Sequence, residues 1–193
     1  MVYIDENIDN FNLQEALQEL SEQRRQQALA FKHERGRRTC VLAYLLLKRA
    51  LQQEFGIDEQ PIFQYGPHGK PMLLHHPDIH FNISHCQEAV ACAVSRQPVG
   101  IDIESVRQYK EQVARYTMNQ HELAMIIDDK HPEITFTRLW TMKEARLKLT
   151  GQGITDNMKT ALNDAARYRF DTTEQLAKNY IYTLCQHNES YAF

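Results

Sequence analysis

The sequence predicts an α+β protein made of two similar small halves, a pseudo-two-fold duplication. Helix-spaced apolar residues fill the chain up to Phe55 and give way to short strand-like runs between His80 and Glu104. After Val106 helical patterns return and are again followed by strand-like runs. The same rough order occurring twice divides the chain into an N-terminal half, residues 1–105, and a C-terminal half, residues 106–193. At 193 residues with 42% hydrophobic content, the chain can hold one domain with a real core, or two lobes that share one.

From Leu13 to Phe31, the residues Leu13, Ala16, Leu17, Leu20, Ala28, Leu29 and Phe31 suit one helix, with the polar stretch SEQRRQQ as its exposed portion. A more apolar helix is predicted from Arg38 to Phe55, with Val41, Tyr44, Leu45, Leu51 and Phe55 on one side and Gly56 as its stop. PIFQYGPHGKP carries too many glycines and prolines for regular structure and reads as a loop, or a strand flanked by tight turns, that holds Lys70. Three strands should follow, at 80–84, 89–95 and 99–104, as a meander in one sheet. YKEQVARYTM, NQHELAMII and EITFTRLWTMKEARLKLTGQG read as helices, the last ending at Gly151. RYRF, NYIYTLCQ and the stub SYAF suggest a second small sheet.

Several functional classes are excluded. The apolar run CVLAYLLLKRAL meets Lys48 and Arg49 far short of the roughly 20 residues that cross a bilayer, so no membrane span is expected. MVYIDENIDN lacks the order of a secretory signal, which points to the cytosol. Cys40, Cys86, Cys92 and Cys185 show no CxxC spacing and read as reduced core thiols. His75, His76, His80 and His85 form no zinc motif. Net charge is −3, and the arginine-rich stretch from Arg24 to Arg38 has no interleaved aromatic residues, so a nucleic-acid partner is not expected.

Three stretches carry chemistry. As a strand, VGIDIE sets Asp102 and Glu104 on one face and Ile101 and Ile103 on the other; two such acids repel unless water or a cation lies between them. FNISH ends in Ser84 and His85, which with nearby backbone N–H groups could hold a phosphate, although these residues are equally at home where a strand turns. In LWTMKEARLKLTG, Glu144 and Lys148 stand one helical turn apart, and alone they would read as a surface ion pair. Together, Asp102, Glu104 and Glu144 make an oxygen-only donor set that suits Mg²⁺. Lys148, Lys70, Arg38 and His85 could then neutralise a polyphosphate bridging to that ion.

In order and spacing, GKP at 69–71, FNISH at 81–85, GIDIE at 100–104 and LWTMKEARLKLTG at 139–151 closely resemble the 4′-phosphopantetheinyl transferases of the Sfp type. The resemblance covers the chain from about Arg24 to Gly153. It implies a monomer whose two halves enclose coenzyme A in a cleft between them. The reaction it implies transfers the phosphopantetheine arm to a serine of an acyl or peptidyl carrier protein and releases adenosine 3′,5′-bisphosphate. By the same resemblance, Asp102, Glu104 and Glu144 hold Mg²⁺, Glu144 is the candidate base for the serine, and Lys148 acts on the leaving group. Ser84, His85, Lys70 and Arg38, with Arg24, grip the phosphates of coenzyme A. Two departures stand out: Gln27 occupies a position where a coenzyme-binding lysine can occur, and the last strand is short or missing. The competing reading is a non-catalytic module that binds carrier protein or nucleotide on the same fold; it would predict a damaged acidic triad, and all three acids are present.

Overall fold

A computed structural model of the protein describes residues 1–66, 68–151 and 158–191. Strand β1 (Val2–Asp5) leads into helices α1 (Leu13–Gln18), α2 (Glu22–Leu29) and α3 (Glu34–Phe55). The hairpin β2 (Phe63–Tyr65) and β3 (Pro71–Leu73) precedes β4 (His80–His85), β5 (Val90–Ser95) and β6 (Val99–Ser105). Helices α4 (Glu111–Thr117), α5 (Gln120–Ile127) and α6 (Pro132–Thr150) are followed by β7 (Tyr168–Gln175) and β8 (Tyr180–His187). The mixed α+β class read from the sequence is the class observed. Among the described residues no helix is long and apolar enough to cross a membrane.

The single helix expected over 13–31 is two. Asn12 caps α1, and the Ser21 hydroxyl accepts the Arg24 backbone N–H at 3.3 Å to start α2, so the polar stretch holds a new N-terminus. Helix α3 begins four residues before the expected start and stops at Gly56. The breaker-rich segment forms β2 and β3, paired from Phe63–Leu73 to Tyr65–Pro71.

The expected one-sheet meander is not what forms. Strand β5 is the centre of a three-stranded antiparallel sheet, β1-β5-β4, and both its edges are taken. Strand β1, four residues with too little alternation to be read from sequence, occupies the edge that a meander would give to β6. Strand β6 pairs instead with β8, from Val99–Gln186 to Ser105–Tyr180, in the sheet β6-β8-β7. At the C-terminus, residues Glu189–Tyr191 form a single 3₁₀ turn rather than a strand, and Ala192 and Phe193 lie outside the described residues.

Period-two alternation places the strand faces. Val90, Cys92 and Val94 of β5 face Leu42, Leu46 and Leu47 of α3 in one core. Ala89, Ala91 and Ala93, on the opposite side, pack against Val99, Ile101 and Ile103 of β6. Small alanines let the two sheets approach, and the buried Asn82 side chain of β4 accepts the Ile101 backbone N–H at 2.9 Å. The other face of β6, carrying Gly100, Asp102 and Glu104, is left for α6.

Helix α6 is held in place by a buried charge. Lys143 is 0% exposed; its ammonium donates to Thr117 O at 3.1 Å and Met158 O at 2.7 Å and pairs with Glu122 at 2.7 Å. Glu122 also accepts the Asn119 N–H as half of the capping box that opens α5, so one lysine ties α4, α5 and the 158–160 turn to α6. Removing one partner strands the other in the core. Lys143→Met is expected to lower unfolding free energy by about 3–5 kcal/mol. Adding Glu122→Leu should recover part of that loss in urea unfolding, whereas a packing defect alone would make the double variant worse.

Candidate active site

Two combs meet between β6 and α6. Residues two apart on a strand are separated by about 6.6 Å, and residues four apart on a helix by about 6 Å. Gly100, Asp102 and Glu104 therefore stand nearly in step with Trp140, Glu144 and Lys148, running the opposite way. The register is fixed at Gly100: a Cβ there would lie 2.0 Å from Ala145 O and 2.6 Å from Leu149 N, so only glycine lets the helix come this close. Next along the strand, Asp102 meets Lys148 at 2.5 Å, and Glu144 lies within electrostatic range of both. Glu104 and Trp140 line the wall of one groove.

Strand β4 closes the site from the other three-stranded sheet. The Ser84 hydroxyl donates to Asp102 Oδ1 at 2.8 Å and accepts from Lys148 Nζ at 2.8 Å, forming a triangle of hydroxyl, carboxylate and ammonium. His85, the last residue of β4, is near enough to feel Asp102 and Lys148; burial, then Lys148, holds its imidazole below the usual histidine range. FNISH is thus neither a plain turn nor wholly a site. Phe81 and Ile83 pack into the core with α3, Asn82 fastens β4 to β6, and Ser84 and His85 reach the carboxylates.

The acids lack a sufficient counter-charge. Burial first, then Asp102, raises the Glu104 carboxyl to about 7, and the same causes raise Glu144. Two buried oxygens, Asp102 Oδ2 and Glu144 Oε1, have no hydrogen-bond partner. Among the described residues no three acidic, histidine or cysteine side chains form a ready metal-coordinating group. Here Lys148 sits against Asp102. The donor set nevertheless fits a hard divalent cation, since the orphaned atoms are carboxylate oxygens where negative charge exceeds positive.

Two openings flank the carboxylates. A cleft of about 840 Å³ is lined by Arg24, Gln27, Thr39, Phe63, Tyr65 and His85 among others. Arg24 donates to Gln27 at 3.1 Å and to Cys40 O at 3.3 Å, leaving its buried Nε unpartnered, while Gln27 donates to the Tyr65 hydroxyl. A second groove of about 490 Å³ has Glu104 and Trp140 in its wall, with Arg107, Tyr109, Lys110 and Phe136.

Two phosphate candidates sit elsewhere. Lys70 donates to Leu149 O at 2.8 Å, against the C-terminal end of α6, where Gly151 adopts a φ of 73° and the Lys70 stem packs over it. It joins the β2–β3 hairpin to α6, and burial lowers its ammonium from the usual lysine range. Arg38 points away: it is held by Glu34 at 2.8 Å and Phe11 O at 3.0 Å, and lines a separate depression beside Phe11. The sequence could not give this direction, because Arg37 and Arg38 differ by one residue, which is about 100° of helix. Gly100 was given no role of its own from sequence; the signal available was its spacing, two residues before Asp102.

The sequence profile of the 4′-phosphopantetheinyl transferase superfamily matches residues 98–193. The chain is 27% identical over 188 residues to 4′-phosphopantetheinyl transferase Sfp of Bacillus subtilis strain 168, covering 94% of this chain and 84% of that one. It is 35% identical over 120 residues to 4′-phosphopantetheinyl transferase psf-1 of Bacillus pumilus, covering 61% and 52%. A third relative, 4′-phosphopantetheinyl transferase gsp of Aneurinibacillus migulanus, is 36% identical over 117 residues, covering 59% and 48%.

Proposed function

The chain belongs to the 4′-phosphopantetheinyl transferase superfamily as an enzyme of the Sfp type, and from that premise we propose that it transfers the arm of coenzyme A to a carrier-protein serine with Mg²⁺ held by Asp102, Glu104 and Glu144. The observation that supports this reading is the β6–α6 comb, a dense set of carboxylates with one lysine, lying between two openings. The larger cleft suits the nucleotide of coenzyme A, with Arg24 and His85 toward its phosphates. The diphosphate then lies at Ser84 and Lys148.

A serine hydroxyl is a weak nucleophile near neutral pH and needs a base. Glu144, buried and beside a second acid, is a stronger proton acceptor than an exposed glutamate. It takes the serine proton as the serine Oγ–phosphorus bond forms. The bond from that phosphorus to the bridging oxygen breaks, and the electron pair leaves with adenosine 3′,5′-bisphosphate. Lys148 is placed to stabilise the charge that develops on the departing phosphate. Mg²⁺, when bound, would supply further neutralisation of the diphosphate. Ser84 and Asp102 hold Lys148 in position until substrate arrives.

The test is direct. Apo-carrier protein incubated with enzyme, coenzyme A and Mg²⁺ should gain the mass of one 4′-phosphopantetheine arm on its serine. No gain across several carriers would sink the proposal. A carrier that binds without gaining mass would favour the non-catalytic module.

A further inference from the structure

We infer that Asn82 is a positioning residue for the reaction: its side-chain carbonyl holds the free edge of β6 in register with β4, and so sets Ser84 opposite Asp102. This rests on the transfer reaction proposed above. Strand β4 ends the sheet β1-β5-β4 and β6 ends the sheet β6-β8-β7, so the site lies on a seam that, among the described residues, no strand pairing crosses. Side chains from one face of β4 cross it instead. Asn82 accepts the Ile101 N–H at 2.9 Å, and Ser84, two residues on, donates to Asp102 at 2.8 Å.

The two bonds differ in what substrate does to them. Ser84 and Asp102 share a triangle with Lys148, and in the proposed reaction Lys148 turns to the diphosphate and Asp102 to the ion, so that triangle opens. The Asn82 bond contains no charged group and no ligand of the ion. It is also buried: Asn82 is 7% exposed and Ile101 is 0% exposed, with its side chain in the alanine-lined core between the sheets. A buried N–H at a strand edge needs an acceptor, and removing the acceptor leaves that edge unheld. Gly100 fixes β6 against α6, and at the next residue Asn82 fixes it against β4. The bond is therefore the fixed point about which the neighbouring groups rearrange.

The test uses the full-length protein. Exchange of the Ile101 amide hydrogen, followed by NMR in the wild type, should be slow in the free protein and stay slow with coenzyme A and Mg²⁺ bound; fast exchange in either state overturns the inference. Asn82→Leu keeps a branched side chain of similar size and removes the acceptor. Assayed below its melting temperature, it should transfer about 10–100-fold more slowly at saturating coenzyme A, the scale set by small misplacements of reacting groups, and it should bind coenzyme A more weakly by calorimetry. Ser84→Ala separates positioning from a merely structural role. Because Asn82 acts by placing Ser84, the double variant should bind coenzyme A no more weakly than the poorer single variant, whereas two independent losses would multiply. Multiplied losses, or wild-type rate and affinity in Asn82→Leu, overturn the inference alone. If Asn82→Leu does not fold, the wild-type exchange decides. No transfer by the wild type to any carrier overturns the proposed reaction and this inference together.

Discussion

Glu144→Gln should yield a folded protein whose transfer rate is lower by about 10²–10⁴-fold, the range typical for losing a positioned general base. The amide keeps the volume of the side chain but neither accepts the serine proton nor offers a charged oxygen to a cation. Stability should move the other way or stay level. Glu144 is buried beside Asp102, and its Oε1 is unpartnered in the folded protein, so removing its charge relieves repulsion. Activity assayed by carrier mass gain, paired with thermal melting, separates the two effects. A variant that transfers at the wild-type rate would remove Glu144 from the role of base, and one that is inactive because it unfolds would show Glu144 to be structural.

The second large effect falls on a residue with no side chain. Gly100→Ala puts a methyl group 2.0 Å from Ala145 O, against helix backbone that cannot rotate aside as a flexible side chain could. Overpacking of this kind costs about 1–3 kcal/mol where neighbours can adjust, and the rigid neighbour here argues for the upper end or beyond. Activity should fall further than stability. Any outward shift of α6 also carries Glu144 and Lys148 from Asp102, and misplacement by about 1 Å can cost about 100-fold. Urea unfolding and initial rates on the soluble variant measure both. Gly100→Ala with wild-type stability and rate would contradict the close β6–α6 register.

The local pattern of the sequence carried much of the fold because local physics decides it. The apolar spacing and final glycine of α6, its stop at Gly151, and the alternation in β4, β5 and β6 all follow from one element burying one face. Pairing partners were not local. Nothing in VGIDIE says that it pairs with a strand eighty residues later, and the reason it leaves β5 is VYID at the chain start, too short to stand out.

The candidate site divides along the same line. Asp102, Glu104, Glu144 and Lys148 were readable as a set because strand and helix periodicities fix which way each points, and the structure brings them into one cluster with Ser84 and His85. Arg38 was misplaced because it sits on a helix whose rotation about its own axis is set by tertiary packing, here by Phe11 and Glu34.

The repulsion between two acids on one strand face is the feature from which the metal assignment grows. Anomalous scattering from crystals of the enzyme grown with coenzyme A and Mn²⁺ tests it most directly. The account predicts one strong peak at coordination distance, about 2.1 Å for Mg²⁺ and close to that for Mn²⁺, from oxygens of Asp102, Glu104 and Glu144, with Lys148 moved from Asp102 to the diphosphate. A peak elsewhere, or none with Lys148 still on Asp102, would contradict it.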